Sequence, residues 1–224
     1  NVMSPSNPLF LRRATNEQPA CPAPITTICP IIVDLLRKTV VNVCCEPTSW
    51  FKENAIAVKG HFMTISQGDQ LPSATMVQIG TEGPEPVDLA DKLADRKVVI
   101  FAVPGAFTGT CHSVHVPSFI RTKDQFDAKG VDEVICISVN DPFVMKAWGE
   151  ATGATEAGIT MLADAQSAFT TAIGMNFDAL PAGLIARSKR YAMLVENGTV
   201  TLLQQEENPG VCEVSGGEAL LASM

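Results

Sequence analysis

No CxxC pair occurs anywhere in the 224 residues, and no repeat or low-complexity tract organises them. No window of about 18 consecutive uncharged apolar residues exists, which argues against a membrane-spanning helix. A secretory signal with a clear apolar core and small-residue cleavage site is also missing. Basic residues are in deficit, 16 Lys and Arg against 24 Asp and Glu for a net charge of −8. The chain therefore lacks the basic face that nucleic-acid binding needs. Histidine is scarce: three in all, only His112 and His115 beyond Met63, and no further ligand at zinc spacing.

What is present is unevenly spread. Four of the seven cysteines (Cys21, Cys29, Cys44, Cys45) fall in the first 45 residues, whereas Cys111, Cys136 and Cys212 are far apart. A disulfide framework in a secreted domain is denser and usually even in number, so a reducing intracellular compartment is expected. Up to Phe62 there are six basic and four acidic residues; from Met63 onward there are 10 and 20. That asymmetry, with the proline-punctuated CPAPITTICP, points to an extension over 1–62 (a leader, pro-segment or upstream sequence) joined to an acidic domain over 63–224. Leu11-Arg12-Arg13 is a faint transit-peptide signal, countered by Glu17. The expected location is cytoplasmic, or an organelle stroma or matrix if the extension holds a transit peptide.

Beyond Met63 the pattern becomes regular. Thr64 to Met76 reads as turn and edge structure, and Val87 to Leu93 as a helical turn. Lys97–Val103 is a β-rich apolar run bounded by turn signals, as is Glu133–Val139. Helical patterns cover Val116–Ala128, Pro142–Thr152 (with Phe143, Val144 and Trp148 on one face), Gln166–Ile173 and Gly217–Met224. Ile159–Ala163 is strand-like, and two β runs, Tyr191–Val195 and Thr199–Leu203, flank Glu196-Asn197-Gly198, a hairpin signal. Asn197-Gly198-Thr199 matches a glycosylation sequon, but in a reducing interior it reads as this tight turn. The order defines an α/β fold of thioredoxin type, a central mixed β-sheet flanked by helices.

The stretch VPGAFTGTCH, 103–112, ends the first long strand with a turn and then presents Cys111. With Thr110 as N-cap, Cys111 falls in the first helical turn, where unpaired N–H groups and the positive end of the macrodipole favour an anion. Thiols at such positions, beside a cation, become nucleophilic thiolates. On position alone, an inert buried cysteine fits equally well.

Pro104, Thr108 and Cys111 spell PxxxTxxC, and PGAFTxTCxxxHVPxF around them resembles the active-site motif of the peroxiredoxins, in particular the type II (atypical, peroxiredoxin 5) branch. The resemblance continues through GVDEVICISVNDPFVMKAW (130–148) and ARSKRYAMLVENGTV (186–200), and covers essentially Met63 to Met224. It implies a thiol peroxidase without prosthetic cofactor, acting on hydrogen peroxide, small alkyl hydroperoxides and peroxynitrite. Cys111 would be the peroxidatic cysteine and become sulfenic acid. Thr108 would hydrogen-bond thiolate and peroxide, Pro104 would shield the sulfenic acid, and Arg190 would be the active-site guanidinium. Arg187 and Lys189 read as solvated neighbours, His112 as surface, and His115 as a packing and hydrogen-bonding residue rather than a catalytic partner or a CxxxH metal ligand. Pro117 should kink the helix. Gly109 departs from the family, which often has proline between the two threonines, and loosens the turn. A homodimer is implied, with Phe107, Phe119 and Phe143 as contributors.

For recycling, the resemblance leaves three routes: glutathione with glutaredoxin as reducing co-substrate, favoured here; Cys136 as resolver, 25 residues on and mid-strand; or Cys212 as resolver, in a loop before the last helix, the latter two served by thioredoxin. A peroxide sensor or relay using the same residues is the rival from another class, and a non-catalytic thioredoxin-fold module a third.

Overall fold

In the computed structural model, which describes residues 64–224, alternate residues of one strand point into two separate apolar layers. The strand, β3 (Lys97–Val103), sends Val99, Phe101 and Val103 to one side, and Val98, Ile100 and Ala102 to the other. All six are fully buried, so a run of β-branched and aromatic side chains forms a strand covered on both faces.

Around it lie β1 (Thr75–Ile79), β2 (Pro84–Asp88), β4 (Glu133–Ser138), β5 (Ile159–Ala163), β8 (Tyr191–Glu196) and β9 (Thr199–Gln205). Together with β3 they make one sheet in the order β2-β1-β5-β4-β3-β8-β9. The β3, β4 and β5 strands are parallel, while β8 and β9 on one side and β1 and β2 on the other run antiparallel. A small separate hairpin pairs β6 (Asn176–Ala179) with β7 (Leu184–Ser188). The helices are α1 (Leu89–Leu93), α2 (Val116–Ala128), α3 (Pro142–Thr152), α4 (Ala168–Ala172) and α5 (Gly217–Ser223). Phe119 and Phe126 of α2, Met145 and Trp148 of α3 and Leu220 of α5 cover the first face; Leu89 and Leu93 of α1 and Phe169 of α4 cover the other. This is the mixed α/β architecture expected from the sequence.

Several expectations need correction. Of Thr64–Met76, read as turn and edge structure, the last two residues open β1, and Val87 and Asp88 end β2 rather than start the helical turn; the Thr75–Asp88 hairpin was not anticipated, because Thr75–Ile79 pairs across to β5 only once the chain folds back. The β6–β7 hairpin was not anticipated, since NFDA and LIARS carry no strong alternation. In α3 the buried face is Met145, Trp148 and Gly149, spaced i, i+3, i+4, and Phe143 points outward, 64% exposed. Phe119 lies in the core, stacked on Phe101 at 4.0 Å between centroids, so it contributes to no surface. The Asn197-Gly198 turn is as read: both residues have positive φ, +48° and +75°, the geometry of a type I′ hairpin. The assignments made for residues 1–62 lie outside the described residues.

Candidate active site

The turn after β3 sets the site. Pro104 is buried, and Phe107 takes φ +58°, an uncommon conformation for a side chain with Cβ that marks a strained functional turn. The Ala106 N–H donates to Asn140 Oδ1 (3.0 Å), which also accepts from Ser138 Oγ (2.8 Å), so the end of β4 anchors the turn. Arg187 is likewise engaged rather than solvated, donating from Nη1 to the Val139 carbonyl at 2.7 Å.

The helix starts one residue before the expected cap. Thr110 is already helical (φ −61°, ψ −35°), and its hydroxyl donates to the Gly210 carbonyl at 2.7 Å. Thr108 holds the capping position by backbone, its carbonyl accepting from His112 N–H at 2.9 Å. Cys111 is thus in the first turn. Cys111–His115 is a π-helical turn, closed by the Val116 N–H on the Cys111 carbonyl. Pro117 explains it: without an N–H, and with a ring that crowds the preceding turn, it cannot continue an α-helical ladder, and the widened turn is the local solution. The kink expected at Pro117 takes this form, and it leaves Cys111 and His115 both fully buried on the inner side.

Arg190, at the start of β8, is 1% exposed. Its Nη2 donates to Cys111 Sγ at 3.3 Å, its Nη1 to His115 Nδ1 at 3.0 Å, and Nε and Nη2 both to the Pro209 carbonyl at 3.2 and 2.9 Å. On its other side His115 Nε2 donates to the Ser215 carbonyl at 2.8 Å. An imidazole that accepts at Nδ1 and donates at Nε2 is neutral. Burial and then the Arg190 charge lower the His115 pKa to about 3, outweighing the opposing effects of the Ser215 carbonyl and Glu206.

A cavity of about 300 Å³ opens beside Cys111, lined by Pro104, Thr108 and Arg190 together with Phe177, Leu184 and Pro209. The Thr108 hydroxyl donates to the Gly105 carbonyl at 2.9 Å rather than to the sulfur, which leaves its oxygen free to accept. A mostly apolar recess walled by one guanidinium and the hydroxyls of Thr108 and Thr110, with the Cys111 thiol in contact with that guanidinium, can receive a small polar group on an apolar body and stabilise negative charge that develops within it.

The other two cysteines occupy different settings. Cys136 sits mid-strand opposite Phe101 and Met161, fully buried in the same apolar layer as Cys111. Burial, and then the proximity of Cys111, raise its thiol pKa well above the usual range. Cys212 is half-buried in the loop 207–216 that carries Pro209 and Ser215. Burial raises its pKa, against the lowering effect of Arg190. Among the described residues no group of three His, Cys, Asp or Glu side chains is placed to hold a metal ion.

Three features escaped sequence reading. His112 is not simply surface: its Nδ1 accepts from Trp148 Nε1 at 3.2 Å, and Phe107 stacks over it. The β6–β7 hairpin supplies the cavity's apolar wall. Glu206 is 5% exposed, and its carboxylate takes four hydrogen bonds from the loop that touches Arg190 and His115. No local motif announces any of them.

A thioredoxin-like sheet presenting a buried thiol at a helix start, under a buried guanidinium, defines a thiol-based redox protein. The redoxin family model matches residues 66–221. The chain is 43% identical over 165 residues to the chloroplastic peroxiredoxin-2E-2 of Oryza sativa, covering 72% of this chain and 73% of that one. Among solved structures it is similar to a reduced Prx3 of Vibrio vulnificus in complex with H2O2: 48% identity, TM-score 0.67, covering 71% of this chain and 99% of that one. It is also similar to peroxiredoxin 5 of Alvinella pompejana, with 33% identity, TM-score 0.61 and coverage of 71% and 97%. The chain belongs to the redoxin family as a peroxiredoxin, an antioxidant thiol peroxidase, and the last likeness agrees with the type II reading.

Proposed function

We propose that residues 63–224 form a peroxidase unit in which Cys111 reduces hydrogen peroxide and small alkyl hydroperoxides and is recycled by glutathione with glutaredoxin. The observation that carries the site assignment is the 3.3 Å contact between Arg190 Nη2 and Cys111 Sγ, with both residues withdrawn from solvent. Arg190 donates to the sulfur and then to the leaving oxygen. Cys111 as thiolate attacks the terminal peroxide oxygen; the S–O bond forms, the O–O bond breaks, and the departing oxygen takes a proton to leave as water or an alcohol. Thr108 Oγ1, its hydrogen directed at Gly105, accepts the peroxide O–H and orients it. Pro104 bounds the cavity and limits water at the sulfenic acid.

Recycling by an external thiol is supported by the state of the internal ones. Cys136 is fully buried in the sheet, and both Cys136 and Cys212 have raised pKa values, which makes each a poor nucleophile. Glutathione thiolate attacks the sulfenic sulfur and releases water. Glutaredoxin or a second glutathione then cleaves the mixed disulfide. A second reading has one specific support: Cys212 belongs to the loop that touches Arg190 and His115, so a shift of that loop would bring it toward Cys111 for thioredoxin-linked recycling. The compartment is a reducing one, the cytoplasm or an organelle stroma or matrix, the latter supported by the chloroplastic rice relative.

Stopped-flow peroxide consumption with glutathione plus glutaredoxin, and separately with thioredoxin, tests this on wild type, Cys111→Ser, Cys136→Ser and Cys212→Ser. Loss in Cys111→Ser alone, with turnover sustained by glutaredoxin, is expected. Stalled thioredoxin turnover in Cys212→Ser or Cys136→Ser identifies that residue as resolver instead. Full activity in Cys111→Ser overturns the site.

A further inference from the structure

Glu206 follows β9 directly, and its N–H donates to the Arg190 carbonyl at 3.0 Å, so it lies beside Arg190 in the strand ladder. It is also among the few acidic side chains in the structure withdrawn from solvent, at 5% exposure. A buried carboxylate needs partners, and Glu206 finds all of them in one short segment. Its Oε1 accepts from the backbone N–H groups of Glu213 (2.8 Å), Val214 (2.9 Å) and Ser215 (2.8 Å), and from Ser215 Oγ (2.8 Å). Three successive amides turned toward one oxygen fix the backbone of that segment as far as Ser215.

The site uses the carbonyl just after that segment and two others further back along the same loop. The Ser215 carbonyl receives His115 Nε2, and at the other end of the same loop the Pro209 carbonyl receives Arg190 twice. The Gly210 carbonyl between them receives Thr110 Oγ1 from the helix that bears Cys111. We propose that Glu206 is a positioning residue of the peroxidase reaction, clamping the end of the 209–215 loop so that its carbonyls hold Arg190 against the Cys111 sulfur and neutral His115 against Arg190. The clamp acts at a distance: Glu206 touches none of the reacting atoms, and it also keeps Ser215 aimed at the Nε2 proton so that Nδ1 remains an acceptor for Arg190. Burial disfavours the Glu206 carboxylate, but the donors from Ser215, Glu213 and Val214 outweigh this and hold its pKa below the usual carboxylate value, so the clamp stays ionised near neutrality.

This inference rests on the assignment of Cys111 and Arg190 made above, and the test separates the two. Glu206→Ala and Glu206→Gln are compared with wild type and Cys111→Ser in single-turnover oxidation by hydrogen peroxide and, in parallel, in alkylation of Cys111 by iodoacetamide. Misaiming Arg190 weakens its donation to the sulfur in both reactions, but removes stabilisation of the leaving oxygen from the peroxide reaction alone. Glu206→Ala is therefore expected to lose roughly 10- to 100-fold in peroxide rate, the scale known for supports of metal-ligating histidines, with a clearly smaller loss in alkylation. Glu206→Gln keeps an acceptor oxygen and should recover part of the loss; it also serves if the alanine variant does not fold. Equal losses in both reactions, or a wild-type peroxide rate in both variants while Cys111→Ser is dead, overturn the clamp and leave the site assignment standing. Peroxide activity in Cys111→Ser overturns the site assignment and the clamp with it.

Discussion

The Arg190 guanidinium donates to Cys111 Sγ at 3.3 Å, yet no carboxylate among the described residues forms a salt bridge with it. Its remaining contacts are a carbonyl, that of Pro209, and the neutral ring of His115. A cation this deeply buried without an ion-pair partner is costly. In the proposed reaction that charge is turned on the leaving oxygen.

Arg190→Lys should therefore be far from conservative. A lysine keeps the charge but cannot reach the sulfur, His115 Nδ1 and the Pro209 carbonyl with one fixed fork. The second-order rate constant for peroxide should fall by about 10²- to 10³-fold, as when a donor to a developing oxyanion is removed. Single-turnover stopped flow checks this, and a loss under threefold would contradict it.

His115 makes the fold acid-sensitive. Its pKa in the folded protein, about 3, lies below the unfolded value of 6.5. Between those values the unfolded chain binds a proton that the folded one does not, so stability falls as pH drops from 6.5 toward 3. The slope from this group approaches about 1.4 kcal/mol per pH unit. Urea unfolding at pH 6.5, 5.5 and 4.5 should show a steeper decline for wild type than for His115→Gln; parallel curves would refute the assignment.

Gly109 sits at the first helical position, and a side chain there meets nothing within 4 Å. Pro is favoured at that place, where the N–H has no helical partner. Gly109→Pro should stabilise the protein by about 0.4–1 kcal/mol through the unfolded chain. Thermal unfolding of the reduced protein measures it, and a fall in midpoint would show that the turn requires glycine.

Gly217, the first residue of α5, lies tight against α2. A Cβ there would meet Thr122 Oγ1 and stand 2.8 Å from the Ser118 carbonyl oxygen, with backbone that cannot yield. The Gly217 N–H also donates to Ser118 Oγ at 2.9 Å. Gly217→Ala should cost about 1–3 kcal/mol by overpacking, seen as a lower urea midpoint at unchanged denaturant slope.

Of the three aromatic residues expected at a dimer contact, Phe107 and Phe143 are exposed, at 54% and 64%. If they seat a second copy, as the family resemblance implies, replacing both with Glu should halve the mass seen by light scattering at micromolar protein, while Phe119→Leu should leave it unchanged. A monomeric mass for the wild type sinks the dimer.

The sequence alone determined the strands and helices whose patterns are strong within one segment. KVVIFAV and EVICIS are apolar enough on both sides that only a covered sheet can hold them, Asn197-Gly198 admits few turns besides the one observed, and PxxxTxxC with RSKRY carries the peroxiredoxin resemblance that implied Pro104, Thr108, Cys111 and Arg190. It could not reveal what depends on contacts between distant segments. The β1–β2 and β6–β7 hairpins lack strong periodicity and are defined by their partners. Phe119 and Phe143 look alike in sequence, but one packs on Phe101 and the other faces solvent. The π-turn arises from Pro117 acting on a helix whose inner face must also bury His115. Glu206, one acidic residue among 24 Asp and Glu, differs from the rest because folding turns three amides toward it from the loop whose Pro209 and Ser215 carbonyls receive Arg190 and His115. Hydrogen-bond geometry across 75 and 100 residues of chain is a property of the packed molecule, and only the tertiary structure decided it.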